Sequence, residues 1–528
     1  MTLVNSTSAN AKRWLAIQVT IAFVAGVLCH LSFAPYDLVW FAPISIGILY
    51  AQLTLPKKLS RKSQFYLGLS YGFGLFISGL RWVHVSLDTF GGLPLVVTIA
   101  LLVLLSLYLA LYPALAVYVF SKLKQQHPLV NALLFSACWV VFEYLRGIVL
   151  TGFPWLWLGY SQTASTFAQS AAVIGVLGLS FFVVLLPSLV INLTKRNISS
   201  VMVLIMALGF LWGLTKVESI NLTEQKTSVA LIQGNIEQSA KWQQESMWPT
   251  ITRYMELTRL NFDADIIIWP EAAMPAVEGW LKDYLKAMDE EILRQNSALI
   301  TGIIARDIIS IDQDRRQQYY NALITLGQEN ATVQSTPNYS EQHSNRYYKH
   351  QLLPIGEFVP FAEILRPLAP LFNLPMSSFT RGDVVQPNLS ANGVKLAAAI
   401  CYEIAFSELV RQNINDDTDM ILTVSNDAWF GQSIGPHQHM QLAQMRAIEM
   451  GRPVIRVTNN GITAIVNHHG QITARANQFE EAVLRANVAG TRGQTFYVQF
   501  GHTPILSFSA LILLIQFLRV RRKYHGQH

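Results

Sequence analysis

The segment "VKLAAAICYE", residues 394 to 403, is a run of apolar residues that ends in a cysteine, a tyrosine and a glutamate. Such a continuous apolar run predicts a strand buried on both faces, as in the centre of an α/β sheet. Cys401 then lies where the strand opens into a turn. It is either a small buried apolar residue or, because strand ends often carry reactive groups, a candidate nucleophile.

Further strings of strand length surround this segment. They are "VALIQGNI" (229 to 236), "DIIIWP" (265 to 270), "ALITGII" (298 to 304), "NALITL" (321 to 326), "MILTVSN" (420 to 426) and "PVIRVTNNG" (453 to 461). Residues 252 to 262 and 437 to 451 show helical spacing of their apolar residues instead. This alternation predicts a layered α/β domain of about 270 residues, which is large enough to hold its own core.

The rest of the chain has the composition of a membrane protein. Of its 528 residues 51% are hydrophobic and only 14% are charged, against about 25% charged in soluble domains. Eight apolar runs are present: Trp14–Cys29, Val39–Leu53, Phe65–Val83, Leu95–Phe120, Val130–Leu145, Phe167–Ile191, Ser200–Leu214 and Pro504–Leu518. Several approach the roughly 20 residues that a membrane-spanning helix needs, and the second and fifth runs are short. The first run lacks an obvious cleavage site, which favours a retained anchor over a signal peptide.

The loops between these runs differ in their basic residues. Lysine and arginine occur at 12–13, 55–62, 121–124, 194–196 and 519–523, and are absent from 31–38, 84–94 and 149–166. Because basic loops stay in the cytoplasm, this alternation predicts that both termini are cytoplasmic and that the α/β domain lies on the opposite side. The net charge of +6 then needs no nucleic-acid partner to explain it.

These observations divide the chain into three parts. Residues 1–217 form transmembrane helices one to seven, residues 218–502 form the exported α/β domain, and residues 503–528 form helix eight with a basic tail. The predicted fold class is therefore a membrane α-helical bundle of about eight transmembrane helices plus an α/β domain.

Three residues at predicted strand ends carry reactive groups. Glu271 follows a strand in "IIIWPEAA", Lys349 lies in "RYYKHQLLPIGEFVPF", and Cys401 follows the apolar run of the opening segment. Taken singly, they could be a strand-end charge, a surface lysine and a buried apolar residue. Together they supply a carboxylate, an ammonium and a thiol on separate elements of one rigid domain, as a catalytic site requires.

These groups suit attack on an ester carbonyl. A free thiol with a pKa of about 8.5 is largely protonated at neutral pH, so it needs a base, and Glu271 is the candidate. A carboxylate in water is a weak base, so we expect a partly desolvated pocket that raises the Glu271 pKa. Lys349 would favour the thiolate and, with a backbone N–H beside Cys401, stabilise the oxyanion. Glu357 and Glu403 would orient Lys349 or the base.

The motifs resemble a known family. Glu271 in "WPE", Lys349 in "YYKHQLLPIGEFVPF" and Cys401 in "ICYE" match the Glu-Lys-Cys pattern of the nitrilase superfamily, whose domain is an αββα sandwich. Combined with eight membrane helices, they resemble the apolipoprotein N-acyltransferase family over nearly the whole chain. Tyr402 and Glu403 follow the cysteine as in that family, and Trp242 lies in a loop like one that carries a functional tryptophan there.

The resemblance implies a reaction and a location. A fatty acyl group would pass from a phospholipid to the α-amine of an apolipoprotein's S-diacylglyceryl cysteine, through an acyl thioester on Cys401. The enzyme would be a multi-pass protein of the bacterial inner membrane, with the α/β domain in the periplasm. No cofactor and no metal are expected.

Two other groups of residues have alternative interpretations. His437 and His439, with His468 and His469, lack the spacing of a metal site, which favours a polar loop and helix start. Glu143 and Arg146, three residues apart near the end of the fifth run, could pair or touch a lipid head group. A structural pair is favoured.

Two rival functions use the same features. A membrane-anchored amidase or lipid hydrolase would share the three reactive groups, but an amidase needs one helix as a tether and not eight. A transporter would place ionisable or broken segments in mid-membrane, whereas here such residues lie mainly at the ends of the apolar runs. The acyltransferase is therefore the favoured prediction.

Overall fold

The computed structural model describes residues 2–55, 59–194, 197–311, 314–330, 336–337, 339–354, 356–358 and 379–525. Parts of the basic loops at 55–62 and 194–196, and the last three residues of "GEFVPF", lie outside these ranges. The chain forms two compact units. The first comprises Met1–His84, Pro94–Glu218 and Gln499–His528, and the second comprises Val85–Leu93 and Ser219–Val498.

The first unit is helical, and a helix occurs at each of the eight predicted runs. The helices are α1 (Thr2–His30), α2 (Phe41–Thr54), α3 (Arg61–Gly79), α4 (Leu95–Leu123), α5 (Pro128–Arg146), α6 (Ala171–Leu193), α7 (Ile198–Leu214) and a C-terminal helix (Thr503–His525). Within the described ranges, five stretches are long and apolar enough to cross a membrane: Lys12–His30, Leu95–Leu123, Pro128–Arg146, Ala168–Leu193 and Thr503–Arg522. The helices α2 and α7 are apolar but shorter.

Small residues and caps fix these helices. A Cβ atom at Gly26 would lie 2.0 Å from the Tyr71 carbonyl oxygen, and one at Gly74 would lie 2.2 Å from that of Phe23. Helices α1 and α3 therefore approach each other through glycines, as membrane helices commonly do. The side chain of Ser60 caps α3 by accepting from the Ser63 N–H at 3.1 Å.

The second unit contains two six-stranded sheets. Their strands are β1 (Asn221–Gln233), β2 (Ile266–Ile268), β3 (Ala298–Ile311), β4 (Asp314–Gly327), β5 (Arg346–Tyr348), β6 (Leu389–Ala391), β7 (Val394–Ile400), β8 (Met420–Ser425), β9 (Val454–Thr458), β10 (Ala464–Val466), β11 (Ile472–Arg475) and β12 (Ala482–Arg492). The strand orders are β12-β1-β2-β3-β4-β5 and β11-β10-β9-β8-β7-β6.

The centre of each sheet is parallel. β1, β2 and β3 run in parallel in one sheet, and β7, β8 and β9 do so in the other, while the outer strands are antiparallel. Because parallel strands end at the same edge, the turns after β7 and β8 lie side by side. The apolar opening segment thus forms β7, buried as predicted.

The two sheets pack face to face around one core. Val229, Leu231 and Ile268 of one sheet share a buried cluster with Leu422 and Ile455 of the other. On the outer faces lie α8 (Gln244–Arg259), α9 (Lys282–Arg294), α10 (Ser407–Gln412) and α11 (Gly435–Met450), and the short α12 (Phe496–Phe500) follows β12. The predicted fold class, a helical membrane unit plus an αββα sandwich, is confirmed.

Candidate active site

Cys401 occupies a strained turn directly after β7. Its φ is +55°, in the left-handed region that residues with a Cβ rarely adopt, and it opens the 3₁₀ turn Cys401–Ala405. Such a conformation costs about 1–3 kcal/mol and persists only when neighbouring contacts hold it. His439 Nε2 lies 3.0 Å from the Cys401 carbonyl oxygen, and Ser425 Oγ lies 3.4 Å from the Cys401 Sγ. Both contacts hold the backbone and the sulfur of this residue.

Glu271 lies in the turn after β2, and both of its carboxylate oxygens are bonded. Its Oε1 accepts from Asn321 Nδ2 at 2.8 Å and from Lys349 Nζ at 3.3 Å. Its Oε2 accepts from the Asn426 backbone N–H at 2.9 Å. A Cβ at Gly302 would lie 2.4 Å from the Ala272 nitrogen, so β3 needs glycine where this turn crosses it. The carboxylate is therefore held from several elements.

Lys349 follows β5 and lies between two carboxylates. Its ammonium donates to Glu357 Oε1 at 2.9 Å as well as to Glu271 Oε1, and only 1% of its side chain is exposed. Asn321 Nδ2 donates to the same two carboxylates, at 2.9 Å in the case of Glu357. A buried ammonium is tolerated when it is paired in this way, and movement of Lys349 would break both ion pairs.

The electrostatics of Glu271 differ from the sequence-based expectation of a raised pKa. Burial does raise the pKa of the carboxyl, but the Lys349 charge, the Asn321 hydrogen bond, the Lys241 charge and the Asn426 N–H outweigh burial, and the net pKa is lowered. Glu271 is therefore ionised at neutral pH. The expectation failed because the second cation and the two hydrogen-bond donors are distant in sequence.

The thiol and the ammonium have raised pKa values. Burial raises the pKa of the Cys401 thiol, and the Glu271 charge raises it further, while Lys349 and Ser425 act in the opposite direction. Burial disfavours the Lys349 cation, yet Glu357 and Glu271 raise its pKa above the ordinary value. At neutral pH the resting site therefore holds a carboxylate, an ammonium and a protonated thiol, all within electrostatic reach of one another.

Glu403 ties the Cys401 turn to the Lys349 segment. Its Oε2 accepts from the Ile400 N–H at 2.7 Å and from the Tyr347 hydroxyl at 3.0 Å. Its Oε1 accepts from the His350 and Gln351 N–H groups at 2.7 and 2.9 Å. Burial raises the pKa of Glu403 to about 7, although these N–H donors and the Lys349 charge lower it. The neighbouring Tyr402 is buried and packs edge-on against Phe406.

Trp242 and Lys241 are neighbours with opposite environments. Trp242 lies in the loop before α8 with 39% of its surface exposed. Lys241 is buried, and its ammonium donates to the Glu271 carbonyl oxygen at 3.2 Å. Burial lowers the pKa of Lys241 to about 8 against the opposing effect of Glu271.

Several residues of the site escape the sequence analysis. Asn321 begins the apolar part of an antiparallel strand, so only the topology places it beside Glu271. Asn426, by contrast, follows β8 in "MILTVSN", and the strand-end rule that selects Glu271 would also have found it. Lys241 had no signal beyond its position next to Trp242.

The histidines lie partly where the sequence predicts. His437 and His439 occur in the first turns of α11, but His439 is buried against the Cys401 turn and not part of a polar surface. The predicted helix start is therefore confirmed for both histidines, while the sequence does not predict the burial of His439. Among the described residues no group of three metal-ligating side chains is suitably placed for a metal ion.

Glu143 and Arg146 form the predicted structural pair in the helical unit. Their closest charged atoms are 3.9 Å apart, and both side chains are buried. Arg146 donates to the carbonyl of Phe153 at 2.9 Å and to that of Leu156 at 3.3 Å, while Glu143 accepts from the Leu158 N–H at 2.7 Å. The pair thus anchors the loop that follows α5.

Comparison with solved structures gives matches that cover about half of this chain. The amidase from Nesterenkonia sp. AN1 is 15% identical with a TM-score of 0.35, covering 53% of this chain and 95% of the amidase. Saccharomyces cerevisiae Nit3, a member of the nitrilase superfamily, is 15% identical with a TM-score of 0.34, covering 50% and 90% respectively. Similarity at this level carries no functional information.

Comparison of sequences concerns the whole chain. Residues 25–189 match the apolipoprotein N-acyltransferase N-terminal domain, and residues 228–496 match the carbon-nitrogen hydrolase family. The apolipoprotein N-acyltransferase of Shewanella oneidensis is 47% identical and covers 99% of this chain and 100% of its own length. That of Photobacterium profundum is 46% identical and covers 95% of each chain. The resemblance inferred from the motifs is confirmed, and the chain belongs to the apolipoprotein N-acyltransferase family.

Proposed function

We propose that this multi-pass membrane enzyme, an acyltransferase by its family, moves an acyl chain from a phospholipid to the α-amine of an S-diacylglyceryl cysteine. The transfer runs in two steps through an acyl thioester on Cys401. The observation that carries the proposal is the cluster of Glu271, Lys349 and Glu357, in which one buried ammonium bridges two carboxylates and acts electrostatically on the Cys401 thiol.

In the first step, Cys401 attacks the ester carbonyl of the phospholipid while Glu271 takes the thiol proton. The base is ionised and the thiol is protonated at rest, so the proton moves during the attack and not before it. Lys349 and a backbone N–H beside Cys401 stabilise the oxyanion. The tetrahedral intermediate then expels the lysophospholipid alkoxide, which receives its proton from Glu271, and the acyl thioester remains.

In the second step, the lipoprotein amine attacks the thioester. Glu271 accepts a proton from the attacking amine, and the same donors stabilise the second oxyanion. The thiolate leaves, takes the proton from Glu271, and restores the resting enzyme with an amide on the acceptor. Glu357 holds the Lys349 ammonium throughout, and Asn321 holds the Glu357 carboxylate, while Tyr402, Glu403 and Trp242 support the site.

The cellular arrangement follows from the loop charges. The protein lies in the bacterial inner membrane with both termini in the cytoplasm; residues 1–217 hold seven membrane helices, 218–502 form the periplasmic domain, and 503–528 hold the last helix and its tail. A periplasm-specific reporter fused after Leu214 should be active, and one fused after Arg522 should be inactive. Activity of both fusions would contradict this topology.

The acyl thioester can be trapped directly. Purified enzyme that receives phospholipid without lipoprotein should gain one acyl chain by intact mass spectrometry, and neutral hydroxylamine should remove it, because thioesters react where amides do not. The chain should be lost in Cys401→Ala and retained in Cys29→Ala and Cys138→Ala, which change the other free cysteines.

The acceptor step separates this function from its rival. A diacylglyceryl-cysteine peptide should discharge the chain onto its free α-amine, and an N-blocked peptide should leave the thioester intact. Rapid loss of the chain to water, with no amide on the peptide, would instead identify a lipid hydrolase. Retention of full activity by Cys401→Ala would rule out both covalent schemes.

A further inference from the structure

Ser425 joins the sulfur of Cys401 to a buried charged cluster that the proposed steps do not use. Its Oγ lies 3.4 Å from Cys401 Sγ and 2.6 Å from Asp427 Oδ1. Asp427 Oδ2 accepts from Arg456 Nη2 at 2.7 Å. Ser425, Asp427 and Arg456 are fully or almost fully buried, so solvent does not screen their interactions.

A count of protons limits what Ser425 can do. A hydroxyl has one proton and two lone pairs, and a carboxylate only accepts. At rest the Ser425 proton therefore points to Asp427, and a Ser425 lone pair faces the Cys401 S–H. When the thiol loses its proton, the Ser425 lone pair no longer has a proton to accept from Cys401. Rotation of the hydroxyl then brings the Ser425 proton to the thiolate.

The rest of the cluster permits this rotation without leaving Asp427 unpaired. Arg456 Nη2 donates to Asp427 Oδ2 at 2.7 Å, and this bond remains when the Ser425 hydroxyl turns away from Oδ1. Burial would raise the pKa of Asp427, but the Arg456 charge and the hydrogen bond from Ser425 act in the opposite direction, and the net pKa is lowered. Asp427 thus remains a carboxylate and does not compete with Glu271 for the thiol proton.

His439 links the same cluster to the Cys401 backbone. Because a carbonyl only accepts, His439 Nε2 carries the proton toward the Cys401 oxygen, and Nδ1 accepts from Arg456 Nη2 at 3.0 Å. Burial and the Arg456 charge keep the pKa of His439 below its ordinary value, which favours this neutral form. His439 is therefore a positioning residue for the strained Cys401 turn.

We propose that Ser425 is a catalytic residue, whose hydroxyl donates to the Cys401 thiolate as it forms and again as it leaves the second intermediate. Asp427, supported by Arg456, orients the hydroxyl, and His439 holds the Cys401 carbonyl. This inference rests on the proposed role of Cys401 as nucleophile.

Other charges also face the thiol, and the test must hold them constant. They are Glu271 after β2, Lys349 after β5 and Asp427 after β8, with Lys241 and Glu357 acting behind the first two and Glu403 bonded to the backbone of the Cys401 turn. A change confined to Ser425 leaves each of them in place. Ser425→Thr and Ser425→Val make a matched pair, because threonine and valine have nearly the same shape and differ by one hydroxyl.

The experiment measures alkylation of Cys401 by iodoacetamide in the full-length enzyme without lipid, over a range of pH. Alkylation follows the thiolate population. The Thr variant should stay close to the wild type, and the Val variant should be slower by about tenfold or more at each neutral to alkaline pH, as expected for loss of a hydrogen bond to a charged group. Acylation of Cys401 by phospholipid should fall in parallel, with kcat affected more than KM.

The outcomes separate this inference from the proposed function. Equal rates in the Thr and Val variants, whether fast or slow, would overturn the role of the hydroxyl, because shape alone would then explain them. Full transferase activity in Cys401→Ala would overturn the proposed function instead. Unchanged elution and melting of both variants would show that misfolding does not explain a slow Val variant.

Discussion

Two buried carboxyl groups near Cys401 have pKa values shifted in opposite directions. Glu271, after β2, and Glu403, in the turn after β7, are both almost fully buried and both accept several hydrogen bonds. The pKa of Glu271 is lowered, whereas that of Glu403 is raised to about 7. Burial acts in the same direction on both, so burial cannot account for the difference.

The difference lies in the charge of the partners. Glu271 accepts a hydrogen bond from the Lys349 ammonium and lies near Lys241, while the donors to Glu403 within the described part of the chain are neutral N–H and O–H groups. The N–H donors offset only part of the desolvation of Glu403, whereas at Glu271 the charges of Lys349 and Lys241 add to the hydrogen bonds and outweigh burial. The first arrangement suits a base, which must be ionised in order to accept a proton. The second suits a structural tie, which holds two segments of the chain together.

The largest expected effect comes from removing the first carboxylate. Glu271→Gln keeps the size of the side chain and loses the proton acceptor, so acylation of Cys401 should fall by about 10²- to 10⁴-fold. Glu403→Gln is the matched control and should retain more activity, because Glu403 contacts the backbone and not the thiol. The measurement is the rate of thioester formation by mass spectrometry. Equal losses in both variants would erase the distinction between base and tie.

The cation that separates the two carboxylates is the next test. Lys349→Arg retains the charge but changes a compact ammonium into a planar fork, which does not fit between Glu271 and Glu357 at the same distances. We expect a loss of at least about 10²-fold in turnover, the usual scale for removing one oxyanion donor. Lys349→Ala should be only slightly worse. Near-normal turnover in the Arg variant would reduce Lys349 to a source of charge.

The third prediction concerns stability and the tie. A carboxyl whose pKa is raised on folding stabilises the fold at low pH and loses this contribution as pH rises through its folded value. For Glu403, raised from 4.5 to about 7, the loss is about 3 kcal/mol between roughly pH 4.5 and 8. Relative to Glu403→Gln, the wild type should therefore become less stable with rising pH, as measured by thermal unfolding in detergent. A difference between the two that is independent of pH would contradict the raised pKa.

The sequence predicts the positions of the candidate reactive residues better than their protonation states. Glu271 and Cys401 each follow a recognisable apolar string, and Lys349 lies in the motif "YYKHQLLPIGEFVPF", so a strand-end rule and a motif together select the three residues. The eight helices and the αββα order are likewise visible in runs of apolar residues, because burial in lipid or between two sheets leaves a direct mark on composition.

The electrostatic balance is not visible in the same way. Asn321 and Lys241 are 50 and 30 residues from Glu271, and their effect on its pKa depends on distances that only the folded sheets define. His439 illustrates the same limit, because a polar residue at a helix start carries no sign that it is buried against a strained turn. Sequence patterns thus select candidate reactive groups, and tertiary contacts set their protonation.

The smallest expected effect tests the second cation beside Glu271. Lys241 donates to the Glu271 backbone carbonyl and lowers the pKa of its carboxyl, while its own pKa is lowered by burial to about 8. Lys241→Met removes the charge, so the Glu271 pKa should rise, and the acidic limb of the thioester-formation profile should move to higher pH by about one unit or less. The rate above about pH 8, where the wild-type Lys241 is losing its own charge, should change by less than about tenfold. Lys241→Arg restores the charge and should restore the limb. An unmoved limb in the Met variant would mean that Lys349 alone separates Glu271 from Glu403.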